Sequence, residues 1–379
     1  MKKALAMFTA LAVTLSLMAL SSCKAEPTYA LTIDGEEIPT GFYVSMQLSA
    51  LEVARDIMKT SYGLDTTVQG FRYRDQFIGS QTYFGFVQDR AVDMTKQMVA
   101  IEKLFTENVG DLTADERSDI TQDAATAWNE EATLSANGKN FTTWKSYYEY
   151  AGISENSFRR VYTDSKKKIL LFNKLYGEGG KYEVDEAILM NEFELTYGRY
   201  RSIDISLLDN ENTIVGEEEQ AVRKAKLAEF KKRLEAGEPF SAVIKDVDKY
   251  NAELNGGTYE EPDPDEETEG GRAATNDDDP ESINDSFVSS ENKETSSFTN
   301  VVFDAEYDKL YDYEDDSRIV VFKRYDITEL TDIFDTIKPQ LLTDLMSDEF
   351  EALIAAKVDT LTAVLNEKAL AKLDNNRLD

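Results

Sequence analysis

Residues 199–207 read Arg199-Tyr200-Arg201-Ser202-Ile203-Asp204-Ile205-Ser206-Leu207, a run in which polar and apolar residues alternate. Successive side chains of a strand point to opposite faces, so this alternation predicts a half-buried strand. Downstream, Val222, Ala225, Leu227, Phe230 and Leu234 keep helical spacing and predict a helix from Glu217 to Ala236. Gly237 sits where a C-terminal cap belongs. Pro239-Phe240-Ser241 leads into a short helix, Ala242 to Val247. Order resumes at Phe298-Thr299-Asn300-Val301-Val302-Phe303, and a further strand, Arg318 to Tyr325, lies beyond Asp315-Asp316. Strand and helix therefore mix in this region. The chain on either side is helical in pattern, so the fold class expected is α+β, mostly α.

Between the two strands, residues 253–297 hold fifteen Asp and Glu against Arg272 and Lys293, with few large apolar side chains. Such a segment cannot offset its ordering entropy by burial, and a disordered acidic loop is expected over 253–297.

Toward the C-terminus, Ile333, Phe334, Ile337, Leu341, Leu342 and Leu345 form one helical stripe. Phe350, Leu353, Ile354, Val358, Leu361, Val364 and Leu365 form a second, with Ser347 as a candidate cap. Pro339 predicts a kink or a fresh start between them. Toward the N-terminus, Tyr29 to Ile33, Asp34-Gly35 and Glu36 to Ile38 predict a strand, a tight turn and a return. Thr40 is placed to cap the helix that follows. Further helical patterns run from Val87 to Val109, from Ala114 to Leu134, and through 141–150, where Trp144, Tyr147, Tyr148 and Tyr150 cluster. Ser154 is a candidate N-cap for a helix carrying Phe158, Val161, Ile169, Leu170, Phe172 and Leu175. Lys166-Lys167-Lys168 on it reads as a solvated face. Residues 61–86 are rich in Tyr and Phe. These rings either pack into the core or line a surface for apolar client segments, with Phe77, Tyr83 and Phe84 as candidate contacts.

At the start of the chain, Lys2 and Lys3 precede an uncharged run, Ala4 to Leu20, which ends in Leu20-Ser21-Ser22-Cys23. A basic start, a short apolar core and small residues before a cut describe a secretory signal, here residues 1–22. Leu-Ser-Ser-Cys matches a bacterial lipobox, which makes Cys23 the expected lipidation site and the mature N-terminus. The plainer alternative is an ordinary secretory signal with an incidental cysteine. The thiol sulfur is the nucleophile that takes the diacylglyceryl group, and several acyl chains hold a protein on a membrane far better than one. Residues 23–28 read as a tether.

Cys23 is the only cysteine and there is no histidine. This removes Ser-His and Cys-His dyads, the commonest metal ligand and zinc thiolate sites. The acidic runs lack the spacing of a calcium loop, and no glycine loop for phosphate is found. Neither a cofactor nor a metal is expected, and no catalytic residue. Without Lys2 and Lys3, 39 Lys and Arg face 73 Asp and Glu, a formal charge near −34 that repels nucleic acid.

Three stretches resemble the SurA/PrsA-type extracytoplasmic parvulin foldases, whose helical chaperone module is shared with trigger factor. Leu31-Thr32-Ile33-Asp34-Gly35-Glu36-Glu37-Ile38 is similar to the family's opening strand and turn. Gly152-Ile153-Ser154-Glu155 to Tyr176, then Tyr182-Glu183-Val184-Asp185-Glu186, resembles the closing helices of the chaperone module and the valine-acidic lead into the next domain. Arg201-Ser202-Ile203-Asp204, the 217–236 helix, Ala236-Gly237-Glu238-Pro239-Phe240 and the 318–325 strand follow the parvulin outline. The lipoprotein form resembles PrsA. The family's first active-site histidine falls on Ser202, the second is missing near Arg318-Ile319-Val320, and its glycine-rich loop falls within the acidic segment.

The resemblance implies a helical chaperone module over 29–184, an inserted degenerate parvulin-like domain over 185–329, and C-terminal helices over 330–379 that pack back on the module. It implies a membrane-anchored extracytoplasmic chaperone for unfolded or partly folded exported proteins, without isomerase activity. An active prolyl isomerase, and a solute-binding or structural surface lipoprotein, are the readings from other classes.

Overall fold

The computed structural model describes residues 29–64, 71–136, 138–259 and 279–373. It is mostly helical with small antiparallel sheets, an α+β fold, and divides into two compact units. One runs to Glu183 and resumes at Met346; the other is Val184–Leu345.

The split unit begins with β1 (Tyr29–Ile33) and β2 (Glu36–Pro39). Asp34 and Gly35 join them, both at positive φ (52° and 86°), as the tightest hairpin turns require. Helices α1 (Thr40–Tyr62) and α2 (Tyr83–Asn108) flank a two-stranded ribbon, β3 (Phe77–Ile78) and β4 (Gln81–Thr82). Helix α3 (Ala114–Asn129) starts at a capping box, in which the Thr113 side chain takes the Glu116 amide and Glu116 returns to the Thr113 amide. A hairpin follows, β5 (Glu131–Ala136) with β6 (Lys139–Thr143), then α4 (Trp144–Ala151) and α5 (Glu155–Tyr176). Ser154 caps α5 through the Ser157 amide at 3.2 Å, as the sequence predicts. Gly41 lets α1 approach α5: a Cβ there would meet the Ser157 hydroxyl at 2.6 Å.

The inserted unit carries α6 (Glu186–Thr196), β7 (Tyr197–Ser206), α7 (Glu217–Glu235), α8 (Phe240–Leu254), β8 (Ser286–Ser289), α9 (Ser297–Asp304), β9 (Leu310–Glu314) and β10 (Arg318–Tyr325). The strands form one antiparallel sheet ordered β8-β7-β10-β9, with Ser202 opposite Phe322 and Asp204 opposite Val320. Ile203, Ile205, Leu207, Ile319 and Val321 pack against Leu227, Phe230 and Leu234 of α7 and Phe240, Val243 and Val247 of α8. The opposite face packs Val320 and Phe322 against Phe298 and Val302 of α9.

Several elements depart from the sequence reading. The helix expected to Leu134 ends at Asn129, and the β5–β6 hairpin replaces its last turn. The two C-terminal helices are one, α10 (Thr331–Asp359), with Pro339 inside it. Proline there forfeits one helical hydrogen bond, but buried Phe334, Leu341 and Phe350 tie down the helix on both sides of it. Residues 331–345 fall with the inserted unit and only Met346 onward with the split one. Leu361, Val364 and Leu365, read as a helical stripe, lie past the helix end. Ala363–Leu365 is instead strand β11, paired with β1, before the short α11 (Glu367–Leu370). Residues 279–297 of the acidic segment expected to be disordered are ordered: a 3₁₀ turn at Pro280–Asn284, β8, and a second turn at Ser290–Glu294. Buried charge pairing supplies the stabilisation that apolar burial could not. Residues 260–278 lie outside the described residues.

Candidate functional site

Tertiary folding gathers rings from four elements on the split unit. Thr143 takes the Ser146 amide at 3.2 Å and so starts α4 at Trp144. Trp144, Tyr147 and Tyr148 then stand three and four residues apart, on one side of the helix. Tyr148 stacks between Trp144 (5.5 Å, 22° between planes) and Trp128 of α3 (5.9 Å, 11°), forming a three-ring column. Tyr147 meets the edge of Trp144 at 6.2 Å and 74°. Phe158 of α5 contacts both Trp128 (5.2 Å) and Tyr148 (5.3 Å), and Phe141 of β6 contacts Tyr147 and Tyr150. Trp128 is buried while the other rings are half-buried. Burial raises the phenol pKa of Tyr147 and Tyr148, so both stay neutral. For Tyr147, nearby Arg55 and Glu52 act in opposite senses.

The three residues singled out for client contact separate. Phe77 is 55% exposed. Tyr83, by contrast, is fully buried and cannot be a surface contact; it packs between Tyr73 (4.9 Å) and Phe84 (5.4 Å). Phe84 is half-buried and lines a cavity of about 280 Å³ with Tyr43, Gln47, Leu51 and Leu370. The larger aromatic surface lies in 128–162. There the sequence shows the cluster Trp144 to Tyr150, but neither Trp128 nor Phe158 as its neighbours. Cys23 lies outside the described residues.

The inserted unit places Ser202, Asp204, Arg318 and Val320 on one face of its central strand pair. That face is filled. Phe298, nearly buried, contacts Tyr200 (5.3 Å), Phe322 (5.4 Å) and Tyr313 (5.0 Å), and the Arg318 guanidinium lies 5.2 Å over its ring. Burial raises the Asp204 carboxyl pKa, against the pull of Arg318.

On the other face, the alternation hides a feature that sequence reading missed. Arg199 and Arg201 share parity with Ile203 and Ile205, and are buried. Asp285 takes both, accepting from Arg199 Nε at 2.7 Å and Arg201 Nε at 2.6 Å. Asp279 pairs with Arg201, Glu329 with Arg199 at 3.1 Å, and the Tyr325 ring lies 4.4 Å from Arg201. Every strong charge in the cluster is thus matched within the chain. Among the described residues, no group of His, Cys, Asp and Glu is arranged to hold a metal ion, and no helix is long and apolar enough to cross a membrane.

No protein-family description matches this chain, and no curated protein is similar to it. Among solved structures it is similar to the foldase protein PrsA of Streptococcus pneumoniae, at 15% identity, TM-score 0.27, over 76% of this chain and 92% of that one. It is also similar to PrsA of Bacillus subtilis, at 13% identity, TM-score 0.22, over 93% and 94%.

Proposed function

We propose that this chain is a foldase-like chaperone, anchored to the outer side of the cell membrane through lipid on Cys23, that holds non-native exported proteins without isomerising them. The single observation that carries the reading is the half-buried aromatic surface of Trp144, Tyr147, Tyr148, Tyr150, Phe141 and Phe158. Contiguous rings left partly open to water mark an interaction surface rather than a finished core. Aromatic rings also bury large area at little cost in side-chain entropy, which suits clients without a defined shape. In this reading the split unit is the chaperone module and Val184–Leu345 the inserted parvulin-like domain. The likeness of residues 31–38, 152–186 and 201–240 to SurA/PrsA-type foldases supports the assignment.

The absence of histidine, and Phe298 filling the face that bears Ser202, support a domain without prolyl isomerase activity. The barrier is about 18–20 kcal/mol, and lowering it requires an open slot for the prolyl peptide. Aggregation of a reduced, unfolded protein, followed by light scattering, tests the central claim. An equimolar amount of this chain is expected to suppress it; an unchanged curve removes the reading. A prolyl peptide assay is expected to show no acceleration over the uncatalysed rate, and Cys23→Ala to release the protein from membranes.

A further inference from the structure

The geometry points to a more specific client chemistry, which rests on the chaperone reading: the corner formed by Trp144 and Tyr147 receives lysine or arginine side chains carried within apolar segments. Tyr148 stacks on Trp144 and Tyr147 stands nearly perpendicular to it, so two ring walls meet at a right angle. A cation against such a corner gains from the ring quadrupoles, and indole is the strongest acceptor of the three aromatic side chains.

The rest of the same surface shows the preference already in use. Lys139 lies 4.4 Å over Tyr150, and Lys166 lies 5.3 Å over Tyr162, whose ring contacts Phe158. Among the described residues, no lysine or arginine lies over Trp144, Tyr147 or Tyr148. Arg55 acts on the Tyr147 phenol but lies over the Tyr73 ring, so the faces of the central rings are left to a cation from outside the chain.

The surrounding charge agrees. Glu131 stands opposite Thr143 in the hairpin, and the Glu130 carbonyl accepts from the Trp144 amide, so both carboxylates belong to residues that frame the start of α4. Both are exposed, and neither has an ion pair among the described residues. Glu52, beside Tyr147, is held by Arg55 at 2.7 Å, and Lys145 is the one cation next to Trp144 in the helix. A basic side chain can lay its aliphatic stem on the rings and leave its charge near Glu130 and Glu131. An acidic segment meets repulsion there.

The protein carries two tryptophans, Trp128 and Trp144, both in the column, so intrinsic fluorescence reads this surface directly. Three peptides of about twelve residues, sharing the same Phe and Leu positions and differing only in interspersed Lys, Gln or Glu, form the probe. The Lys peptide is expected to bind about ten-fold tighter than the Gln peptide, within the range of a partly desolvated cation–π contact, and the Glu peptide weakest. Net charge alone also favours the Lys peptide, but that part is screened by added salt. At 0.5 M salt the preference is expected to persist in the native protein and to vanish in Trp144→Leu, which keeps the net charge; Trp144→Phe restores part of it. Should Trp144→Leu fail to fold by circular dichroism, the paired Glu130→Lys and Glu131→Lys reversal is expected to cut the preference several-fold.

Equal binding of the Lys and Gln peptides overturns the inference and leaves the chaperone reading standing, as does a preference that Trp144→Leu leaves unchanged. If no peptide binds and aggregation is not suppressed, both fall.

Discussion

Trp128 in the split unit and Arg199 in the inserted unit are each 1% exposed, and opposite physics keeps them there. Trp128 is covered by Tyr148 and Phe158, in contacts that are individually weak and tolerant of rearrangement. Arg199 is buried only because Asp285, Glu329 and the Asp326 carbonyl meet its nitrogens at 2.7, 3.1 and 3.2 Å. A ring cluster can lose one contact and keep most of its stability. A buried charge that loses its partner strands the remaining ion, so the network behaves as a unit. The ring surface can thus open to a client at modest cost, whereas the ionic cluster holds one arrangement, tying residues 279–285 to the sheet.

The largest effect expected from breaking that contrast comes from Asp285→Ala. It leaves two buried guanidiniums with Asp279, Glu329 and the Asp326 carbonyl, and should destabilise the inserted unit by about 3–5 kcal/mol. Hydrogen exchange in β7 and β8 would rise, while tryptophan fluorescence, which reports only the split unit, should unfold close to its original midpoint. Coincident early loss of both signals would show that the two units unfold as one.

A smaller effect tests Asp164, the one strongly buried carboxylate among the described residues of the split unit. Asp164 on α5 faces Glu102, Arg160 and Lys167, and burial, followed by repulsion from Glu102, pushes its pKa up to about 6. A carboxyl whose folded pKa lies above its unfolded value of 3.8 binds its proton more tightly in the fold. Stability therefore falls as pH rises from about 4 through about 6, by at most roughly 3 kcal/mol. Glu102 runs in the opposite sense: burial would raise its pKa, but Lys167 and Arg160 outweigh burial and hold it low. Asp164→Asn is expected to raise stability by about 1 kcal/mol at pH 7.5 and to change little at pH 4, read as the difference in Tm between the two pH values. A lower Tm at pH 7.5 would mean that the 3.3 Å pairing with Lys167 outweighs desolvation.

The smallest change is Thr113→Ala, which removes the capping box of α3, on which Trp128 is carried. About 1 kcal/mol should be lost in thermal unfolding, with little change at the inserted unit.

Much of the fold was legible because it is local. Asp34-Gly35 supports both positive-φ positions of the first hairpin, and Ser154 satisfies an amide three residues on. The alternation in 199–207 marked β7 correctly, yet parity alone could not show that Arg199 and Arg201 share the buried face, because their partners Asp279 and Asp285 lie in a segment whose composition reads as unfolded. The aromatic site was half legible. Trp144, Tyr147 and Tyr148 follow from one turn of helix, whereas Trp128 and Phe158 join them only through packing of three helices.

What the sequence by itself determined here are the interactions closed within a few residues: the Ser154 cap, the Asp-Gly turn and the strand period of β7. Thr40, read as a cap, is instead the first residue of its helix, and Pro39 at the cap position makes no side-chain capping bond. Only the tertiary structure decided that Ala363–Leu365 is a strand. Its apolar residues suit a helix stripe equally well. The choice falls to β1, whose open edge it completes, and to Asp34, whose carboxylate takes the Thr362 amide at 2.9 Å from the far end of the chain. Pairings so distant depend on which surfaces folding brings together, and local spacing carries no information about them.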